Sequence, residues 1–373
     1  MFHQRERRGF TLILMSFMLT ILIGAAAFAV DFSRMSLYRT QLRSAADAAA
    51  LAAAFRLSQG GGSASADTAV AYASKNTVGG TTPLVLADVL PGTWSDATKA
   101  FTQTSWAAGS YAVQVTTRYN ASFGFAKIFG LTNRTITATA VAVAGGATSS
   151  SCVRPWAIPY QAMLDVLYSP GSKSAATYDL TTADIARLAV MTSASNPVTL
   201  KVGTGSNYTA NGQFWAVQLP PGEYANGTAG SPWSGGSNYR TAIGDDCTAL
   251  AALIGGASGN ANPYVSVGDW LSPETGNKVG PTQQGVDDQC GSDVCSPARK
   301  LIAGMWDSYG NAPGGHCSGC YHIKYMAIFS LTGWDNANNA VTGYFNTTTS
   351  ASGTGGTFVA GGASPIQVIA LVK

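Results

Sequence analysis

Charge is scarce in this chain: Asp, Glu, Lys and Arg supply 11% of its 373 residues. Residues 1–57 hold 7 Lys and Arg against 3 Asp and Glu, which leaves 15 against 16 in residues 58–373. A near-neutral body lacks the concentrated basic footprint that nucleic-acid binding requires. Histidine is scarcer still, at three. His3 lies at the N-terminus, so only His316 and His322 remain for a Ser-His-Asp site in the body. A G-x-S-x-G elbow, a Walker A loop and an Asp-x-Ser-x-Ser adhesion motif are all missing. No repeat suggests a solenoid or propeller. Beyond residue 30 no stretch is long and apolar enough to cross a bilayer. These absences point to a protein that is no enzyme, takes no cofactor and has no evident small-molecule substrate.

What the chain does have is one run, residues 9–30, GFTLILMSFMLTILIGAAAFAV, with no charge in it. Arg5, Arg7 and Arg8 precede it and Asp31 follows at once. As a helix it would span roughly 33 Å, enough for a hydrocarbon core, with its backbone satisfied internally. It ends in small residues, as a cleaved signal peptide does. However, it exceeds the usual h-region of about 7–15 residues, and the helical pattern continues beyond it. The expectation is a retained transmembrane helix. Arg34, Arg39 and Arg43 follow closely, so arginine counts alone do not orient it. The short segment 1–8 before the span, the single span and six cysteines all beyond it predict a cytoplasmic N-terminus and an exported body.

Residues 31–57, DFSRMSLYRTQLRSAADAAALAAAFRL, contain no Gly or Pro and are rich in strong helix formers. They read as a helical extension, with Leu37, Leu42, Ala45, Ala49 and Ala52 as a broken apolar stripe. The alanine run permits close approach, either to the chain's own domain or to a partner helix. Arg8-Gly9, Ala29-Val30-Asp31, Arg34, Tyr38, Gln41-Leu42 and the alanine run 45–52 together resemble the N-terminal segment of TadG-like proteins of the Flp/Tad (tight adherence) pilus-assembly system. The resemblance implies a bacterial, membrane-anchored component of a pilus or secretion machine. Gly9-Phe10-Thr11-Leu12-Ile13 also resembles a prepilin processing site, with cleavage between Gly9 and Phe10. In that family the fifth mature position is usually Glu, and here it is Leu14.

The glycine-rich break at residues 59–65 precedes a small α/β domain, 64–146. Its expected elements are a helix over 67–76, a period-two strand over 111–117, a short apolar helix over 123–130 and a strand over 135–144. After a linker at 147–151, residues 152–373 read as a β-rich mixed domain with long loops. Helices are expected near 182–191 and 246–254, and strands at 214–219, 325–331 and 366–372. The fold class is therefore α+β: a long N-terminal transmembrane helix, a small α/β domain and a β-rich exported domain.

Cys152, Cys247, Cys290, Cys295, Cys317 and Cys320 read as up to three disulfides in an oxidising compartment, with fifteen possible pairings. His316, Cys317, Cys320 and His322 have metal-ligand chemistry, but neighbouring thiols in such a compartment favour disulfides over zinc or redox work. Asp287, Asp288 and Asp293 lack EF-hand spacing and read as an acidic turn. The passage 267–282, VGDWLSPETGNKVGPT, resembles one found in exported TadG-like proteins and reads as a structural loop. The composite expectation is a non-catalytic, single-pass protein of the bacterial inner membrane. Its expected partners are the lipid bilayer and other Tad/Flp assembly proteins. The rival readings are a pseudopilin or minor pilin cleaved after Gly9, and an exported metal-binding or redox protein using the Cys/His patch.

Overall fold

The fold comes from a computed structural model that describes residues 4–83, 88–106, 109–190, 197–203, 208, 214–244, 250, 252–253, 264–291, 300–346, 349–351 and 357–373. It is mixed α+β, with a long N-terminal apolar helix and a β-rich C-terminal region. Helix α1, Gln4–Ser58, runs unbroken for 55 residues, about 82 Å at 1.5 Å per residue. None of its most apolar stretch is buried against the rest of the chain. From Asp31 onward one face turns inward: Asp31, Tyr38, Leu42, Ala45, Ala46, Ala49, Ala50, Ala53, Ala54 and Leu57 are buried. Their three- and four-residue spacing is one helix face. The stripe differs from the sequence expectation at Leu37, which points outward while Tyr38 takes its place, and at Ala52, which is half-buried beside buried Ala53.

Helix α2, Ala64–Ser74, lies against α1 through Ala69 and Ala73, where small side chains on both helices let the backbones approach. Strands β1, Val89–Ser95, β2, Ala100–Gln103, and β3, Ala112–Ser122, lead through a 3₁₀ turn, Ala126–Phe129, into β4, Asn133–Ala147. The short apolar helix expected over 123–130 is a single 3₁₀ turn, Ala126–Phe129, closed by left-handed Gly130. Along β4 alternate residues sort by face. Ala140, Ala142 and Ala144 meet α1, while Val141 and Val143 join Trp94 and Ala112 on the far side.

The second unit holds β5, Ser149–Ser150, β6, Val153–Pro159, α3, Tyr160–Leu167, α4, Thr182–Val190, β7, Val198–Lys201, and α5, Gly236–Gly244. It continues with β8, Val265–Ser266, β9, Trp270–Leu271, α6, Val279–Cys290, β10, Lys300–Gly310, β11, Cys320–Asp335, and β12, Ala340–Asn346. Its sheet has the order β6-β10-β11-β12-β7, with β9 beside β11. The core is aromatic, built on Trp156, Tyr160, Tyr239, Tyr321 and Phe329. Thr181 caps α4 reciprocally with Asp184: the Thr181 amide donates to Asp184 Oδ2 (2.8 Å) and the Asp184 amide to Thr181 Oγ1 (3.3 Å).

The last strands return to the first sheet. These are β13, Thr349–Ala351, β14, Phe358–Ala360, and β15, Gln367–Leu371, giving the order β13-β15-β4-β3-β1-β2 with β14 also on β4. The sequence reading placed them with residues 152–346. Gly145 explains how β4 accepts the second neighbour: a Cβ there would lie 2.2 Å from the Val359 carbonyl oxygen. Residues 214–219 form only isolated bridges, Trp156 with Ala216 and Val217 with Pro273, instead of a strand. Most of the helix expected at 246–254 lies outside the described residues.

Candidate functional site

The site is the place where α1 changes surroundings. The β3–β4 hairpin lies along the inward face of α1 with a readable direction. Val113 and Ala144 pack with Ala49 to Ala54, and Ala121 and Ile136 pack with Tyr38 and Leu42. The turn after β3 reaches Asp31 itself. Asp31 Oδ1 accepts the Gly124 amide at 2.8 Å, and Oδ2 accepts those of Phe125 at 2.9 Å and Ala126 at 2.7 Å. These three donors would otherwise be orphaned at the start of the 3₁₀ turn.

The Asp31 carboxyl is 2% exposed, and ionised carboxylates are seldom buried without full satisfaction. The Ala126 amide holds its pKa below the ordinary value; burial opposes that shift, and Gly124, Phe125 and Arg34 assist it. Arg34 in turn donates from Nη2 to Tyr38 Oη at 3.1 Å. Tyr38 packs edge-on against Tyr119 of β3, with ring centroids 5.1 Å apart. Further along, the Thr117 hydroxyl donates to the Leu42 carbonyl at 3.0 Å, and the Gly79 amide donates to Gln41 Oε1 at 3.0 Å. Asp31, Tyr38, Gln41 and Leu42 thus join the helix to the domain, and Arg34 braces Tyr38 from within the helix. Chemically the site is a coupling in which the Asp31 carboxylate is occupied by three backbone amides.

The other singled-out residues lie elsewhere. Gly9 and Phe10 are inside α1, and Phe10 is exposed. Cys317 and Cys320 are joined to each other, and Cys152 and Cys290 are disulfide-bonded as well. No described cysteine is free, and Cys247 and Cys295 lie outside the described residues. With both Cys317 and Cys320 oxidised, the patch offers no thiolate to a metal. Of its histidines, His322 pairs through its ring, Nδ1 lying 2.7 Å from Asp307 Oδ1, whereas His316 is held through its backbone amide, which donates to Glu223 Oε2 at 2.9 Å. Among the described residues no cluster of His, Cys, Asp or Glu is arranged to hold a metal ion. Asp287 and Asp288 sit on α6, where Asp288 pairs with Arg240 at 2.7 Å, and Asp293 lies outside the described residues.

The 267–282 passage is built as a loop. Gly268 and Gly276 have φ of 94° and 73°. Asp269 accepts the Ser266 amide at 2.7 Å and the Ala225 amide at 2.8 Å. Burial pushes its pKa up to about 6, against the pull of those amides and of His322. Lys201, fully buried, donates to Asn277 Oδ1 at 2.5 Å, and desolvation brings it down to about 8.

Sequence reasoning missed the Asp31 partners and the hairpin tip. The only local signal was an unpaired Asp directly after an apolar run, followed much later by F-G-F-A-K-I-F-G between two strands.

Compared with known families, residues 9–56 match one described as "Putative Flp pilus-assembly TadE/G-like". Residues 43–142 match one described as "Putative Tad-like Flp pilus-assembly". The two matches overlap on α1 and together take in the hairpin. No curated protein and no solved structure matches the chain.

Proposed function

We propose that this TadG-like protein of Flp pilus assembly is a non-catalytic, single-pass anchor, its α1 fixed in the bacterial inner membrane and its sheets held on the exported side. The observation that carries this reading is the division of α1. Its apolar half has no buried stretch within the chain, and its alanine-rich half is the inner layer of a folded domain. A helix continuous across that boundary transmits the membrane position rigidly to the sheet, which suits a fixed platform for other assembly proteins. Four bonded cysteines support an oxidising side for the body.

Protease accessibility in sealed right-side-out and inverted membrane vesicles tests the topology, combined with N-terminal sequencing of the membrane-bound chain. The reading expects a full-length chain whose body is digested only from the exported side. A chain beginning at Phe10 would make it a processed pilin-like subunit instead. A chain beginning near Val30 would remove the anchor altogether.

A further inference from the structure

We infer that the tip of the β3–β4 hairpin is a second membrane contact, seated in the headgroup layer of an anionic phospholipid surface beside α1; this rests on the anchor reading above. The hairpin's direction comes first. Its partners on α1 progress from Ala53 and Ala54 back to Asp31, so its tip points toward the apolar half of the helix. The residues at that tip are apolar and face outward. Ile128 is 82% exposed and Phe129 79%, and Phe125 and Leu131 are exposed with them. Four large apolar side chains on one turn, next to an apolar helix, form a single patch continuous with the span.

Between the tip and α1 lies a crevice of about 340 Å³. Phe28, Phe32 and Leu131 give it apolar walls, and Arg39 and Arg134 give it two cations. Helical side chains lean toward the helix N-terminus, so Arg39 reaches back toward the span. Asp31 also lines the crevice, but three amides occupy its carboxylate. Lys127 adds a further cation on the exposed face of the turn. An apolar slot beside the span with cations above it matches a phospholipid: acyl chain along Phe28 and Phe32, phosphate at Arg39 and Arg134. A partner helix would fill the slot but would leave those two arginines without an anion.

The test uses the full chain reconstituted in vesicles of phosphatidylcholine with or without phosphatidylglycerol. An environment-sensitive fluorophore is placed at Ile128→Cys or, separately, at Leu19→Cys, and nitroxide-labelled lipids serve as quenchers. The inference expects shallow nitroxides to quench the 128 probe and deep nitroxides to quench the 19 probe. Phosphatidylglycerol should strengthen quenching at 128. Arg39→Gln and Arg134→Gln should each weaken its lipid partition about fivefold while leaving the 19 probe unchanged.

A quenched 19 probe with a water-exposed 128 probe would overturn the inference and spare the anchor. So would a shielded 128 probe that lipid nitroxides do not quench, which would place the tip against protein, this chain or a second copy of it. An unquenched 19 probe would remove the anchor reading and this one together.

Discussion

The two halves of α1, residues 10–30 and 31–58, form one unbroken helix in opposite surroundings. In the first half Phe, Leu, Ile and Met point in every direction and stay uncovered. In the second, a narrow stripe of Ala with Tyr38, Leu42 and Leu57 is buried, and the outward faces mix polar side chains with Phe32, Leu37 and Phe55. Helix propensity builds both halves, so it cannot be what separates them. The separation comes from side-chain size and from one charge. Bulky apolar residues all round leave no face for a sheet to approach polar solvent on, whereas alanines let a sheet and a second helix come close. Asp31 marks the change because it exchanges hydration for three amides of the domain.

The largest expected effect lies on the domain half. Leu42→Ala removes a fully buried side chain and should cost about 2–5 kcal/mol of domain stability, measured by denaturant unfolding. A loss near zero would break the claim that α1 is part of the core. On the other half, Leu19→Arg should cost about 2.5–3.5 kcal/mol of insertion at the middle of the span. The readout is the fraction of protein left in membranes after alkaline extraction, and unchanged retention would contradict a lipid-facing Leu19.

Asp31→Asn probes the boundary and should act more locally. It leaves the Gly124, Phe125 and Ala126 amides facing a neutral acceptor, so their hydrogen exchange should speed up while β15 stays protected. Because the folded pKa of Asp31 lies below the ordinary 3.8, its contribution is present above about pH 4. It is lost as pH falls through the lowered value. Protection at residues 124–126 in the parent, taken relative to the intrinsic exchange rate at each pH, should therefore fall in acid, and the Asn variant should lose that dependence. The smallest effect belongs to Leu37→Ala, five residues from Leu42 but 54% exposed. It should stay within about 0.5 kcal/mol, and a cost like that of Leu42→Ala would restore the stripe expected from sequence.

Much of this division was legible before the structure. The uncharged run, the helix formers after it and the period-two strands are local signals, and several residues behind the resemblance to TadG-like segments, Asp31, Tyr38, Gln41 and Leu42 among them, join α1 to the domain. The misses are non-local. Leu37 and Tyr38 are adjacent, and only the position of β3 decides which of them is inside. β15 joins β4 across more than two hundred residues of chain, a pairing that no local pattern announces. Trp215 to Val217 alternate like a strand but find only single bridge partners. The outward face of Ile128 and Phe129 was hidden for the same reason, since burial is a property of the assembled hairpin.

The most direct test of the divided helix is a scan of single spin labels along residues 12–57 of the full chain in lipid vesicles, reading accessibility to oxygen and to a water-soluble relaxant. The account predicts uniformly oxygen-accessible, water-shielded labels up to Val30 and a crossover at Asp31. Beyond it, protection should alternate with a 3.6-residue period and peak at Tyr38, Leu42, Ala46 and Ala49. A 3.6-residue alternation running through residues 12–30 as well would place that half against protein, and the account of α1 as half anchor and half core would fail.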